Sequence, residues 1–233
     1  MKIKVVFSLV LTLFLVLGSI NIASASEPEI RKVGEFTEIQ INIPCKLIIQ
    51  QTNETSLKLE GPKESIDEIT TVVHSGTLKI STENKKSNRL SNVTIYITTP
   101  ALTHIATAGQ VDVLIASKFT QKEFSFESAG KGILTGEQIY VDKMHIETAG
   151  HASVEIAGKC ETMSVKIAGS GSVKAEKFET KNTNIEIAGS GNINVMVSDN
   201  LNTEIAGSGE VKYIGDPKIS NTSVGSGKIS KLN

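Results

Sequence analysis

The chain has 233 residues, with 24 basic and 25 acidic side chains and a formal net charge of −1 at pH 7. That balance leaves no basic face, which excludes a nucleic-acid footprint. Tryptophan is absent and aromatics are sparse, so the strands must be filled by Val, Ile, Thr and small residues, which suit a regular β surface.

Lys2 and Lys4 precede an apolar run from Val5 to Leu17, and Ala23-Ser24-Ala25 follows. This is the pattern of a secretory signal peptide over residues 1–25, cleaved near Ala25. The run is too short for a comfortable transmembrane helix. No cysteine marks a lipid anchor at its end and no second apolar stretch follows. The expectation is an exported protein, periplasmic or extracellular, with no membrane insertion after cleavage. Residues 26–233 are then a single domain with a real core.

Residues 26–100 are strand-rich but irregular. Strands are expected at Ile39–Ile43, Lys46–Gln51, Ser56–Glu60, Val72–His74, Thr77–Ser81 and Val93–Thr98, with a hairpin turn at His74-Ser75-Gly76-Thr77. Ser65–Thr71 reads as a helical turn and Glu83–Ser91 as a polar loop. This part is expected to form the first coils that cap a stack.

From residue 101 to 233 a repeat takes over. Seven segments close on Gly109, Gly130, Gly150, Gly169, Gly189, Gly207 and Gly225, in steps of 21, 20, 19, 20, 18 and 18 residues. Four residues after each glycine stand Val113, Leu134, Val154, Val173, Ile193, Val211 and Ile229. Apolar residues alternate by two on both sides of the turn, so each repeat holds two short strands with one face inward. One coil cannot bury that face alone, and stacking coils gives each strand two parallel neighbours. Seven coils would span about 34 Å. A leucine-rich repeat lacks its Leu framework here, and a hexapeptide helix lacks its strict six-residue rhythm. The expected fold is an all-β, right-handed parallel β-helix of about 20-residue coils with an irregular N-terminal β part. The less regular third arms, such as Glu176–Thr183 and Ser198–Leu201, are read as loops.

The recurring Ile-Ala-Gly-Ser-Gly at 167–171, 187–191 and 205–209, with Val-Gly-Ser-Gly at 224–227, resembles the head GIN domain family of exported bacterial proteins. The order of upstream strands matches as well, including Gly-Thr-Leu-Lys-Ile at 76–80. The resemblance implies a right-handed β-helix and an adhesin label, and it supplies no catalytic residues.

The glycine turns are not phosphate loops, since no Lys-Ser/Thr and no helix follow them. Gly there supplies positive φ and close coil stacking. Ser170, Ser190, Ser208 and Ser226 follow at one equivalent position as a hydroxyl ladder. Three residues before the glycines, Glu127, Glu147, Lys166, Glu186 and Glu204 form an outward charged row. Glu127/Glu147 and Glu186/Glu204 place like charges on neighbouring strands, where a cation or an acid/base pair could be sought. A hard cation needs several converging oxygens, and no Asp cluster accompanies them. His104 and His145 share a repeat position two coils apart, too far to share a metal, and His151 lies just across the turn. No catalytic residues, cofactor or metal are assigned. Ser170, Ser190, Ser208, Glu127, Glu147, Glu186 and Glu204 are the candidate ligand face. Cys45 and Cys160 are expected to be separate buried thiols, although export permits a disulfide.

The expected function is a non-enzymatic, adhesin-like binding scaffold of the cell envelope or exterior. Its expected partners are a surface polysaccharide, a surface protein or a second copy of itself. The alternative is a β-helix polysaccharide lyase or hydrolase using the outward carboxylates, disfavoured by the poverty of aromatic and Arg side chains.

Overall fold

The computed structural model describes residues 28–82, 90 and 92–232. The segment read as a signal peptide and most of the expected Glu83–Ser91 loop lie outside the described residues. The regular part begins with β8 (His104–Gly109) and β9 (Val111–Ile115), on either side of the first glycine turn. Four long strands follow β10 (Phe119–Gly130): β11 (Ile133–Gly150), β12 (Ser153–Gly169), β13 (Ser172–Gly189) and β14 (Asn192–Gly207). The last coil contains β15 (Glu210–Ile214), β16 (Lys218–Gly225) and β17 (Lys228–Lys231). These strands pair in parallel, each on the strand one coil earlier, and form a β-solenoid.

The seven glycines stack in register, Gly109 under Gly130 and so on to Gly225 over Gly207. At each turn the glycine carbonyl of one coil accepts the N–H that follows the next coil's glycine, as in Ser190 to Gly169 at 2.8 Å. Gly189 shows why the residue must be glycine. Its φ is +131°, and a Cβ there would lie 2.3 Å from the Gly169 oxygen. Both the backbone conformation and the stacking bond exclude a side chain.

Period-two alternation produces the core. Val113, Leu134, Val154, Val173, Ile193 and Val211 are buried in one internal column. Ile229, at the head of that column, is only partly buried, with no described coil beyond it. Before the turn, Ile105, Phe126, Ile146, Val165 and Ile185 make a second column.

The third arms differ from expectation. They are strands, not loops: Phe119 pairs with Ile139, Ile139 with Gly158, and Gly158 with Phe178. Glu176–Thr183 lies wholly within β13, and Ser198–Leu201 within β14. Neighbouring coils satisfy the backbone of these polar segments above and below, so no apolar alternation is needed to hold them. The variable coil length is taken up by register shifts between Gly136 and Ile139, Glu155 and Ala157, and Ala175 and Glu179.

The N-terminal part caps the stack. Its strands are β1 (Glu29–Arg31), β2 (Glu38–Ile41), β3 (Cys45–Gln51), β4 (Ser56–Glu60), β5 (Ile69–His74), β6 (Thr77–Thr82) and β7 (Thr94–Thr99). β2 and β3 lie parallel to β8 and β9 as a preceding coil, with β6 and β7 beyond them. The outermost strands turn antiparallel: β5 on β6, β4 on β7 and β1 on β4. The β5–β6 hairpin turns through Ser75 and Gly76, both at positive φ. The helical turn, α1 (Lys63–Asp67), sits earlier than the sequence suggested. Pro62 pre-sets its entry, while β-branched Thr70 and Thr71 belong to β5.

Candidate binding groove

Three sheets run along the solenoid. The first holds the strands before the glycine turns, in the order β5-β6-β2-β8, then β10 to β14, then β16. Two rows of outward residues run along it. The row next to the turns is Ala108, Ala129, Ala149, Ala168, Ala188, Ala206 and Val224, all exposed. The row beyond is Gln40, Ala106, Glu127, Glu147, Lys166, Glu186, Glu204 and Thr222, each in register with its neighbour.

Because the alanines are short and the charged side chains long, the sheet carries a trough. One stretch, of about 520 Å³, is lined by Lys79, Ala108, Glu127, Ala129, Glu147 and Ala149 among others. A second, of about 420 Å³, continues from Glu147 and Ala149 past Lys166, Glu186 and Glu204 to Thr222 and Val224. The two share Glu147 and Ala149, so they form one groove with an alanine floor and a charged wall.

The wall is largely acidic, and its charges are unevenly compensated. Lys166 Nζ lies 3.1 Å from Glu186 Oε2. Glu127 and Glu147 are direct neighbours across β10 and β11, and each has a histidine beside it: His104 Nε2 at 3.6 Å from Glu127, His145 Nε2 at 3.6 Å from Glu147. Ser125 pairs with both His104 and His145, which confirms their two-coil separation. His151 sits in the exposed turn, its N–H given to the Gly130 carbonyl.

Of the seven candidate ligand-face residues, the structure brings together the four glutamates along this groove. Ser170, Ser190 and Ser208 stand outside it, exposed at the corner, where their N–H groups carry the turn-to-turn bonds. The alanine floor was not read from the sequence, although its signal was the unvarying Ala before six of the seven glycines. Among the described residues, no three His, Cys, Asp or Glu side chains converge as a metal site. A smaller hollow of about 300 Å³ lies where the second and third sheets meet at the register shifts, lined by Glu137, Glu155, Lys174, Glu176 and Lys177.

Cys45 and Cys160 are both free, Cys45 half-buried and Cys160 buried. Burial pushes both thiols up to about 12, with the Asp112 carboxylate adding to the effect at Cys45. Neither is a nucleophile at neutral pH.

A family model described as "Putative auto-transporter adhesin, head GIN domain" matches residues 35–217. No curated protein matches the chain. Among solved structures, a "putative adhesin" from Bacteroides fragilis is similar at 25% identity and a TM-score of 0.84, covering 88% of this chain and 96% of that one. A "putative lipid binding protein" from Parabacteroides distasonis is similar at 25% identity and a TM-score of 0.74, covering 89% and 96%. A "putative adhesin" from Parabacteroides merdae, 14% identical over 89% and 96% of the two chains, shares the fold with a TM-score of 0.67.

Proposed function

We propose that this chain, which belongs to the head GIN domain family, is an exported, non-enzymatic, adhesin-like scaffold that holds an extended partner in the groove of its first sheet. The observation that supports this is the groove itself. It runs lengthwise over successive coils and presents nearly the same side chains at every strand spacing. A repeated, shallow, one-dimensional surface suits a polymer better than a compact metabolite, which needs a deep pocket that buries most of it. A surface polysaccharide or an extended protein segment fits that shape. The leader expected over residues 1–25 and the adhesin-like character of the family point the same way.

A second ligand class is suggested by the relative described as lipid binding. The feature that favours it is the alanine floor, an apolar strip on which an acyl chain could lie.

The groove is tested by filling it. Ala168→Trp should abolish binding on arrays of bacterial surface polysaccharides and extended peptides, or to lipid vesicles, whichever the wild type binds. Its unfolding midpoint should stay unchanged, because Ala168 points outward. Full binding by a folded Ala168→Trp protein would remove the groove from the function.

A further inference from the structure

The two ends of the solenoid are built differently. At the N-terminal end, β1 and β5 are antiparallel to their neighbours, α1 buries Ile66, and Arg31 ties β1 to Ile66, Ile69 and Thr71. At the opposite end, β16 and β17 lie parallel on β14 and β15, and no described strand pairs with their outer edges. All eight residues of β16 are exposed. Ile219 continues the inward position of Leu201 yet is 44% exposed, and Val224 ends the alanine floor at 71%. An open strand edge presents a row of unmet N–H and C=O groups. Proteins usually blunt such edges with proline, bulges or several charges. β16 has no proline, pairs with β14 without a register shift, and has Lys218 as its one charged residue.

We propose that the outer edge of β16 pairs antiparallel with β16 of a second copy about a two-fold axis, giving a tail-to-tail dimer. The strand is self-complementary in that arrangement. Centring the axis on Asn221 sets inward residues against inward ones: Asn221 against the second copy's Asn221, and Ile219 against its Ser223. Outward, Ser220 meets Thr222, and Lys218 meets Val224, whose exposed side chain the lysine stem can cover. No like charges oppose each other across the pair. A two-fold contact of this kind closes on itself, whereas a head-to-tail contact would propagate. The outer strands of the N-terminal end, β1 and β5, run antiparallel to the stack, so that end offers β16 no parallel edge.

Lys218, Lys228 and Lys231, with Asp216 their acidic neighbour, give both joining ends the same sign. The dimer is therefore weakened by repulsion at low salt and tightens as salt screens it. Because β16 belongs to the first sheet, pairing would also set the two grooves on one continuous sheet, running in opposite senses and offset sideways, since the Val224 that ends one floor meets Lys218 of the other copy. That consequence rests on the groove reading; the dimer does not.

Sedimentation across a concentration series of the full mature chain tests the pairing. The expected result is a monomer–dimer equilibrium that strengthens with salt and never exceeds two chains. Asn221→Cys should be trapped by mild oxidation as a covalent dimer, while Val72→Cys at the other end should not. A strict monomer at high concentration, growth beyond two chains, or equal trapping of both variants overturns the proposal. A dimer that neither variant traps overturns the Asn221 axis. If Asn221→Cys fails to fold, the wild-type series still decides. A dimer that persists in Ala168→Trp while ligand binding is lost would separate this inference from the groove.

Discussion

The guanidinium of Arg31 on β1 donates to the carbonyl of Ile69 at the start of β5, at 2.5 Å. Its other nitrogen donates to Ile66 in α1 at 2.9 Å, and its Nε meets Glu29 at 2.7 Å. β1 edges the second sheet and β5 edges the first, so one side chain stitches the two sheets across the capped end. The planar fork lets it serve several acceptors at once.

Arg31→Ala is expected to cost about 1.5–3 kcal/mol, the range for hydrogen bonds to a charged group. Arg31→Lys should recover little of it, since an ammonium cannot span the same acceptors. Urea unfolding of the three proteins checks this; equal midpoints would mean the cap holds without the stitch.

Gly158 has a φ of +141°, and a Cβ on it would lie closer to the Ile139 carbonyl oxygen, at 1.9 Å, than any contact allows. Gly158→Ala should therefore destabilise the chain by about 2 kcal/mol or more, from left-handed strain and the displaced neighbouring coil together. An unchanged melting midpoint would show that the third sheet can open there freely.

Ser128 Oγ and Thr148 Oγ1 are buried on adjacent coils without a hydrogen-bond partner among the described residues. Later coils place Ile167, Ile187 and Ile205 at the same position. Thr148→Val should leave stability equal or raise it by about 1 kcal/mol, because an unsatisfied hydroxyl is removed without a change of shape. A lower midpoint would reveal a hidden partner for the hydroxyl.

Lys166 separates two pairs of glutamates on the groove wall. Lys166→Glu would set five carboxylates in register on consecutive strands. The unfolding midpoint should fall at low ionic strength and recover in about 1 M salt, where the screening length is roughly 3 Å. A loss insensitive to salt would place the effect in packing rather than charge.

Both cysteines should resist a thiol reagent in the folded protein at pH 8. Their elevation from 9.0 to about 12 leaves roughly a thousandfold less thiolate than an ordinary thiol has. Denaturation without reductant should release two reactive groups per chain. Finding none would mean the two are joined.

The glycine ladder and the inward columns were legible because turn and alternation reinforce each other at every repeat. Val113 through Val211 could be placed inside from spacing alone. The third arm was not legible. Each coil puts few residues inward there, such as Phe178, Thr180 and Thr183, among polar ones, and the pairing that makes it a strand comes from other coils. β1 is too short to announce itself as a strand. The glutamate row was visible as a pattern, but the groove was not. Its floor is made by alanines that read as part of the turns, and its depth depends on side-chain length measured across neighbouring strands.

The exact stacking of Gly150 on Gly130 and Gly169 on Gly150 makes the solenoid a ruler. Each whole coil adds one strand spacing, about 4.8 Å, to the groove without altering its cross-section. Excising one glycine-to-glycine unit, such as residues 151–169, should shorten the contact with a long partner by one step and leave the flanking coils able to rejoin. Reach and chemistry are then inherited separately: the number of coils sets how much of a polymer is grasped, and the outward rows set which polymer it is.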